Sequence, residues 1–331
     1  MKENEIRPQA LFDEYLKIAR EDISHFFSDK HRFVEVPCPA CDSSEHRESF
    51  VKDGFRYVEC SSCKTLYTSP RPTQEDFGRF YRESRSSRFW AEHFYKETES
   101  ARRDKIFRPR ALDVAQTAHK YFNTKSLSIV DIGSGYGTFL EELRNTGAFD
   151  PIEGIEPSPD LASVCEKKGF KTFRSSVEDV KMGSRFDIAT NFELFEHLFS
   201  PRMFLQAVHQ VLKPGGILYM TTLSGQGFDL LLLRERSKSI SPPHHINFIN
   251  PESLVHCLNR AGFDVLEIST PGKLDVDIVY NIGRETPVPC DPFTHKVVFE
   301  SNDQLRENYQ LFLQNNRLSS HIRAIARKRT D

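Results

Sequence analysis

The sequence predicts an α/β fold whose main unit is a mostly parallel sheet, and three observations point to it. From Leu127 onward, short apolar strands alternate with stretches of helical spacing. The first strand runs straight into a glycine-rich turn, Asp131-Ile132-Gly133-Ser134-Gly135-Tyr136-Gly137, where the backbone can approach a ligand and the next helix presents its amides. Ahead of this unit, two C-x-x-C pairs stand eighteen residues apart and mark a small separate element. At roughly 150 residues per domain, 331 residues suffice for about two such units.

Composition narrows the function classes. Lys plus Arg number 45 and Asp plus Glu 47, so a net charge of −2 gives no bulk argument for a polyanionic partner. With 38% hydrophobic and 28% charged residues, the chain can build a core under a well-solvated surface. The apolar run from Phe228 to Leu233 is far shorter than the roughly 20 residues that cross a bilayer, so no membrane span is expected. The start, Met1-Lys2-Glu3-Asn4-Glu5, lacks an apolar signal region, so reduced thiols and a cytoplasmic location are expected.

Four segments follow in order. Residues 1–36 hold an amphipathic helix, since Leu11, Phe12, Tyr15, Leu16, Ala19, Ile23, Phe26 and Phe27 recur at three- and four-residue spacing. Residues 37–69 carry Cys38, Cys41, Cys60 and Cys63. Two such knuckles in a reducing compartment suit tetrahedral zinc, and four thiolates leave no open position for water, so the ion is expected to be structural. Cys165, Cys257 and Cys290 are scattered and read as ordinary thiols.

Pro70-Arg71-Pro72-Thr73 ends the ribbon, and residues 70–125 form a helical connector or lid. Arg79, Arg82, Arg85, Arg88, Arg102, Arg103, Lys105, Arg108 and Arg110 interleave there with aromatic residues. They fit a solvated helix face, or a pocket for a phosphate or carboxylate of the substrate.

Residues 126–331 form the sheet unit. Strands are expected at 127–132, 151–156, 186–191 and 216–223, helices at 137–145, 160–168, 201–212 and 251–261. A helix near 303–316 and a strand at 319–328, of the sheet-edge type, close the chain. The glycine turn departs from G-x-G-x-x-G, with Thr138 in place of the third glycine, which disfavours a nicotinamide dinucleotide. Glu156 closes the second strand and offers a carboxylate to both hydroxyls of a ribose.

Val130 to Gly137, Gly154 to Pro159 and Val211 to Thr222 together resemble the class I S-adenosylmethionine-dependent methyltransferases, over roughly Ser126 to Gly272. With the cysteine pairs, the chain is similar to members carrying an N-terminal zinc ribbon, many of which tailor sugars of polysaccharides or secondary metabolites. The resemblance implies a Rossmann-like, mostly parallel sheet of seven strands. It places Gly133, Gly135 and Gly137 along the methionine portion of the cofactor with Asp131 nearby, and Glu156 on the ribose. Glu178 and Asp179 would contact adenine, and Asn191 and Phe192 would line the end of the fourth strand.

Methyl transfer to a hydroxyl needs alignment, exclusion of water and a proton acceptor. His197 closes Phe192-Glu193-Leu194-Phe195-Glu196-His197, which resembles the family's L-E-H segment; a capping or packing role is the alternative. His244 and His245 lie in the proline-stiffened loop Ser241 to Asn250, and His245 resembles the H-x-x-F position of relatives acting on small molecules; an ordinary loop histidine is the alternative. Sequence spacing gives these histidines no third partner for a metal site.

The leading expectation is therefore methylation of a sugar or nucleotide-sugar oxygen. The alternative is an RNA methyltransferase that uses the ribbon to bind RNA. Against it, acidic residues offset Arg47, Lys52 and Arg56 within the ribbon. Nor does the fourth strand end in an N-P-P-Y type motif or a cysteine. A binding module without turnover is the third class.

Overall fold

The computed structural model describes residues 2–124 and 126–330. Lys125, where the expected connector ends, lies outside them, as do Met1 and Asp331. Eleven strands among the described residues form two sheets. The first three are β1 (His46–Lys52), β2 (Phe55–Cys60) and β3 (Leu66–Thr68). Then follow β4 (Leu127–Ile132), β5 (Phe149–Ile155), β6 (Lys171–Phe173), β7 (Phe186–Phe192) and β8 (Leu212–Leu223). The last are β9 (Asn247–Phe248), β10 (Phe263–Ser269) and β11 (His321–Lys328).

The large sheet has seven strands in the order β10-β11-β8-β7-β4-β5-β6. Strands β8, β7, β4, β5 and β6 run parallel, so their carboxyl ends share one edge. Every residue of β4 is buried, as a strand covered on both faces requires. Helix Arg108–Tyr121 and helix Thr138–Thr146 cover one face, through Val114, Phe139, Leu140 and Leu143. Helices Pro201–Val211 and Pro251–Arg260 cover the other, through Phe204, Val208, Leu254 and Leu258. Ser200 and Asn250 cap these two helices and proline follows each cap, so the sequence specifies where they start.

One expectation is corrected. The terminal strand is not at the edge: β11 lies between β8 and β10, antiparallel to both. Ile322, Ala324 and Ala326 bury on one face and Ile325 on the other, and the small alanines let neighbouring helices approach. The edge position falls to β10, whose residues after Phe263 are only half-buried or exposed.

The small sheet, β1-β2-β3-β9, joins the cysteine segment to the rest of the molecule. Its last strand is a two-residue piece of the histidine loop, with Leu66 opposite Phe248 and Tyr67 opposite Asn247. The ribbon has no core of its own. Cys38, Val58, Cys60 and Tyr67 belong to the core of the large sheet, whereas Phe55, Tyr57 and Leu66 pack with Phe80, Leu223 and Phe248.

The N-terminal helix, Gln9–Phe26, and helices Gln74–Glu83 and Lys96–Arg102 roof the carboxyl edge, and two π-helical segments, Trp90–Tyr95 and Arg103–Phe107, break the connector's regular winding. Such wide turns are frequent where a helix lines a functional site.

Phe248 is fully buried where the two sheets meet. Phe248→Ala is expected to lower unfolding stability by about 3–5 kcal/mol. By contrast Val51→Ala, on the outer strand with Val51 63% exposed, should change it by less than about 0.5 kcal/mol. Urea denaturation of both variants checks this.

Candidate active site

The glycine turn follows β4 with Gly133, Gly135 and Gly137 all at positive φ. At Gly135 no atom lies within 4 Å of where a Cβ would stand, so the backbone faces open space. Gly137 is crowded instead: a Cβ would meet Cys165 Sγ at 3.0 Å. Glu156, at the end of β5, accepts from Gly135 N–H at 2.8 Å and from Ser158 N–H at 2.9 Å, one bond to each carboxylate oxygen. Each oxygen keeps a further acceptor site for a ligand.

Asp131 is buried and accepts from the Thr190 hydroxyl at 2.7 Å, and burial pushes its carboxyl up to about 7. Asn191 is buried with both amide atoms unpartnered, a costly state that a polar ligand would relieve. Phe192 faces the other way, its ring 4.7 Å from Phe139 and under the Arg110 guanidinium at 4.2 Å. Glu178 and Asp179 sit exposed in the turn beyond β6, where Asp179 accepts from Ser176. These donors and openings fit S-adenosylmethionine.

Beyond β7 the chain enters a strained bend, with Glu193 at φ 52°. Glu193 accepts from Thr221 (2.5 Å), pairs with His321 Nε2 (2.7 Å) and receives Arg110 at 3.4 Å. Burial opposes its ionisation, but His321 and Arg110 hold it well below the usual carboxylate range. Three residues on, Glu196 behaves oppositely: burial and then the Glu193 charge push it up to about 8. Its Oε2 accepts from Thr222 at 2.9 Å, while Oε1 is buried without a partner.

His197 and His245 meet beside the Glu196 carboxyl, their rings 4.7 Å apart and nearly perpendicular. One ligand atom from each of Glu196, His197 and His245 lies within 4.8 Å of the others. The fold thus supplies the third partner that sequence spacing withheld. His245 Nδ1 lies 2.6 Å from Ser239 carbonyl, so Nδ1 carries the proton and Nε2 the lone pair. Tyr81 OH bonds His197 Nδ1 at 3.0 Å. Burial lowers His245 to about 4 and takes His197 well below its ordinary value, so both rings are neutral at physiological pH. The trio can receive a proton from a hydroxyl placed among them, or surround a divalent cation.

His244 points elsewhere. It is buried against Phe80, Tyr81 and Tyr15, with ring separations of 4.9, 5.6 and 5.7 Å, and Ser86 Oγ lies 3.4 Å from its Nε2.

Residues that sequence reading passed over hold the histidine loop in place. Tyr57 donates to His245 carbonyl at 2.7 Å, and Ile246 N–H donates to Glu196 carbonyl at 2.9 Å. Arg71, 1% exposed, donates to the Thr68 and Phe199 carbonyls and to Asn247 Oδ1. Only its position between two prolines could have drawn attention to it. Glu193 stood inside the quoted segment, but its partner His321 lies 128 positions away with no local signal.

The four ribbon sulfurs also converge, with Cys38 3.4 Å from Cys63 and Cys41 3.5 Å from Cys60. All four lie within 4.8 Å of one another. Sulfurs about 2.3 Å from a tetrahedral ion stand ~3.8 Å apart, so the set fits zinc. The two knuckles are built alike. Asp42 and Lys64, each just after a second cysteine, have φ near 60°, and their N–H groups donate to the Cys38 and Cys60 carbonyls.

Residues 102–268, half of the chain, match the family profile described as "Methyltransferase domain". The chain is similar to the ubiquinone biosynthesis O-methyltransferases of Xanthomonas axonopodis pv. citri and Dinoroseobacter shibae. Identity is 29% over 155 residues and 31% over 156, covering 43% of this chain each time and 64% and 62% of those proteins. It thus spans less than two thirds of these relatives.

Among solved structures, a possible histamine N-methyltransferase of Thermotoga maritima aligns over 71% of this chain and 98% of its own, at 17% identity and TM-score 0.45. The 1,6-didemethyltoxoflavin-N1-methyltransferase of Burkholderia thailandensis aligns over 86% and 99%, at 12% and 0.49.

The buried histidines fix a pH response. Burial depresses His244 to about 3 in the folded chain, against about 6.5 unfolded. The unfolded state therefore binds the extra proton between those values. The stabilisation is complete above pH ~6.5 and lost as pH falls, at up to ~1.4 kcal/mol per pH unit. His244→Gln should make the fall in stability between pH 6 and 5 shallower by about one proton, as read by urea denaturation.

Proposed function

We propose, from the premise that this chain belongs to the methyltransferase-domain family, that it methylates an oxygen of a small hydroxylated molecule, a sugar or nucleotide-sugar. S-adenosylmethionine supplies an electrophilic methyl group. Gly133, Gly135 and Gly137 bring backbone close to it, Glu156 takes its ribose hydroxyls, and Asp131 and Asn191 line the adjoining floor. Phe192 supports Arg110 at the rim. Glu178 and Asp179 flank the adenine end from the turn after β6.

One observation carries the reading: the meeting of Glu196, His197 and His245 at the carboxyl edge, with an unpartnered carboxyl oxygen and two neutral imidazoles. His245 is the base, oriented through Nδ1 by Ser239. His197, held by Tyr81, is its neighbour and the second candidate. His244 supports the loop from behind.

Zinc bound by Cys38, Cys41, Cys60 and Cys63 holds the ribbon against this loop and has no part in the chemistry, since its coordination is closed by sulfur.

Calorimetry with S-adenosylhomocysteine and single-turnover kinetics test the assignment. Glu156→Ala should weaken cofactor binding by about 1–3 kcal/mol. His245→Ala should slow methyl transfer by about 100- to 10,000-fold with cofactor affinity unchanged. Turnover that instead requires an added divalent cation, with Glu196→Gln raising the cation concentration needed, would reassign the trio to a metal.

Metal analysis should find one zinc per chain. Cys60→Ser should lose the metal together with the stability of the ribbon.

A further inference from the structure

Among the described residues, the roof over the site carries two arginines, Arg7 and Arg102, that combine the lack of a counter-charge with a buried, unpartnered Nε. Several of its other basic side chains are paired, whereas Arg79, Arg82 and Arg88 carry no ion pair among the described residues but are exposed to water. Arg85 pairs with Glu21, Arg103 with Glu141 and Glu142, Arg108 with Asp104 and Glu142, and Arg110 with Glu193. Arg7 and Arg102 form no ion pair among the described residues, and the Nε of each is buried without a hydrogen-bond partner.

The two belong together. Arg7 follows the short helix Glu3–Ile6, which packs on helix Lys96–Arg102, and a Glu5–Lys105 ion pair ties that short helix to the next segment, Arg103–Phe107. Arg102 lies over the rings of Tyr95 and Phe107, 5.9 Å from each, and Tyr95 stacks at 4.4 Å on Tyr136 of the glycine turn. Arg7 lies 5.5 Å over Phe12, whose ring stacks on Tyr15, and Tyr15 reaches the histidine loop at His244. The pair thus spans from the glycine turn to the histidines. Burial and then repulsion from Arg7 lower Arg102 to about 10, and the Arg7 charge also acts on His245.

Like charges held this way are costly unless an anion completes them. A guanidinium presents a planar fork of donors that matches the oxygens of a phosphate or carboxylate. We propose that Arg7 and Arg102 form an oxyanion subsite that grips a phosphate or carboxylate group of the acceptor and sets its hydroxyl beside His245. This rests on the methyltransferase reading and adds a substrate class to it: the acceptor is an anion.

The test measures binding of inorganic pyrophosphate, inorganic phosphate and acetate by calorimetry, to protein saturated with S-adenosylhomocysteine. Wild type should bind at least one of them. Affinity should fall about tenfold or more in both Arg102→Gln and Arg7→Gln, while S-adenosylhomocysteine affinity stays within about twofold. Preference for the phosphates assigns a phosphorylated acceptor, and preference for acetate a carboxylate.

Removing an uncompensated buried charge should also leave the melting temperature of unliganded Arg102→Gln at or above that of wild type. A lower melting temperature would mark Arg102 as structural and overturn the proposal. So would anion binding that is absent in wild type or equal in the variants. Loss of S-adenosylhomocysteine affinity in Arg102→Gln would overturn it too, by placing that arginine on the methionine carboxylate. If S-adenosylhomocysteine fails to bind wild type, the methyltransferase reading falls first.

Discussion

The pairing of β3 with β9 is the constraint on which the site depends. Two residues, Asn247 and Phe248, complete the ribbon sheet and at the same time end the loop that carries His244 and His245. Strand register leaves the loop little freedom, because Thr68 N–H holds the Ile246 carbonyl while Ile246 N–H holds that of Glu196. The loop is thereby pinned between the ribbon and the bend after β7. Arg71 locks the joint from below, its charge spent on two carbonyls and one amide oxygen. No carboxylate pairs with it among the described residues, and burial brings it down to about 10. A buried arginine so fully hydrogen-bonded fixes geometry more than it adds stability.

Around this joint the protein sorts its acids by environment. Glu193 and Glu196 share one short bend, yet one is held ionised by His321 and Arg110 and the other tends to keep its proton. The Glu193 charge itself helps raise Glu196, so the two states depend on each other. The neighbouring imidazoles stay neutral because the roof of aromatic rings excludes water from them. Such a site can accept a proton without first losing one.

Much of this was legible in the residues. Period and caps marked the parallel strands and their helices, and the glycine turn with Glu156 marked one end of the sheet. The cysteine pairs marked the ribbon because local spacing alone defines a knuckle. What escaped depends on distant pairing. β11 reads as an edge strand because its alternation with arginines looks half-solvated, yet those arginines reach Asp113, Glu267 and the Tyr121 carbonyl across the sheet. The convergence of Glu196 with His245 likewise comes from a crossing of chain segments that no local pattern encodes. Nor can sequence tell a paired arginine from an unpaired one, so Arg102 looked like its neighbours.

The same joint sets a schedule for biosynthesis. Leu66 and Phe248 pair across 182 positions, so a ribosome adding about 5–20 residues per second exposes the ribbon roughly 10 to 40 seconds before its fourth strand exists. During that interval β3 is an open edge, able to pair with any extended segment it meets. The nascent ribbon therefore waits with one sheet edge unpaired and with Cys38 and Cys60 still lacking the large-sheet core that later buries them. A chain interrupted before Asn247 would leave that edge bare, and self-association through it is the natural fate of such a fragment.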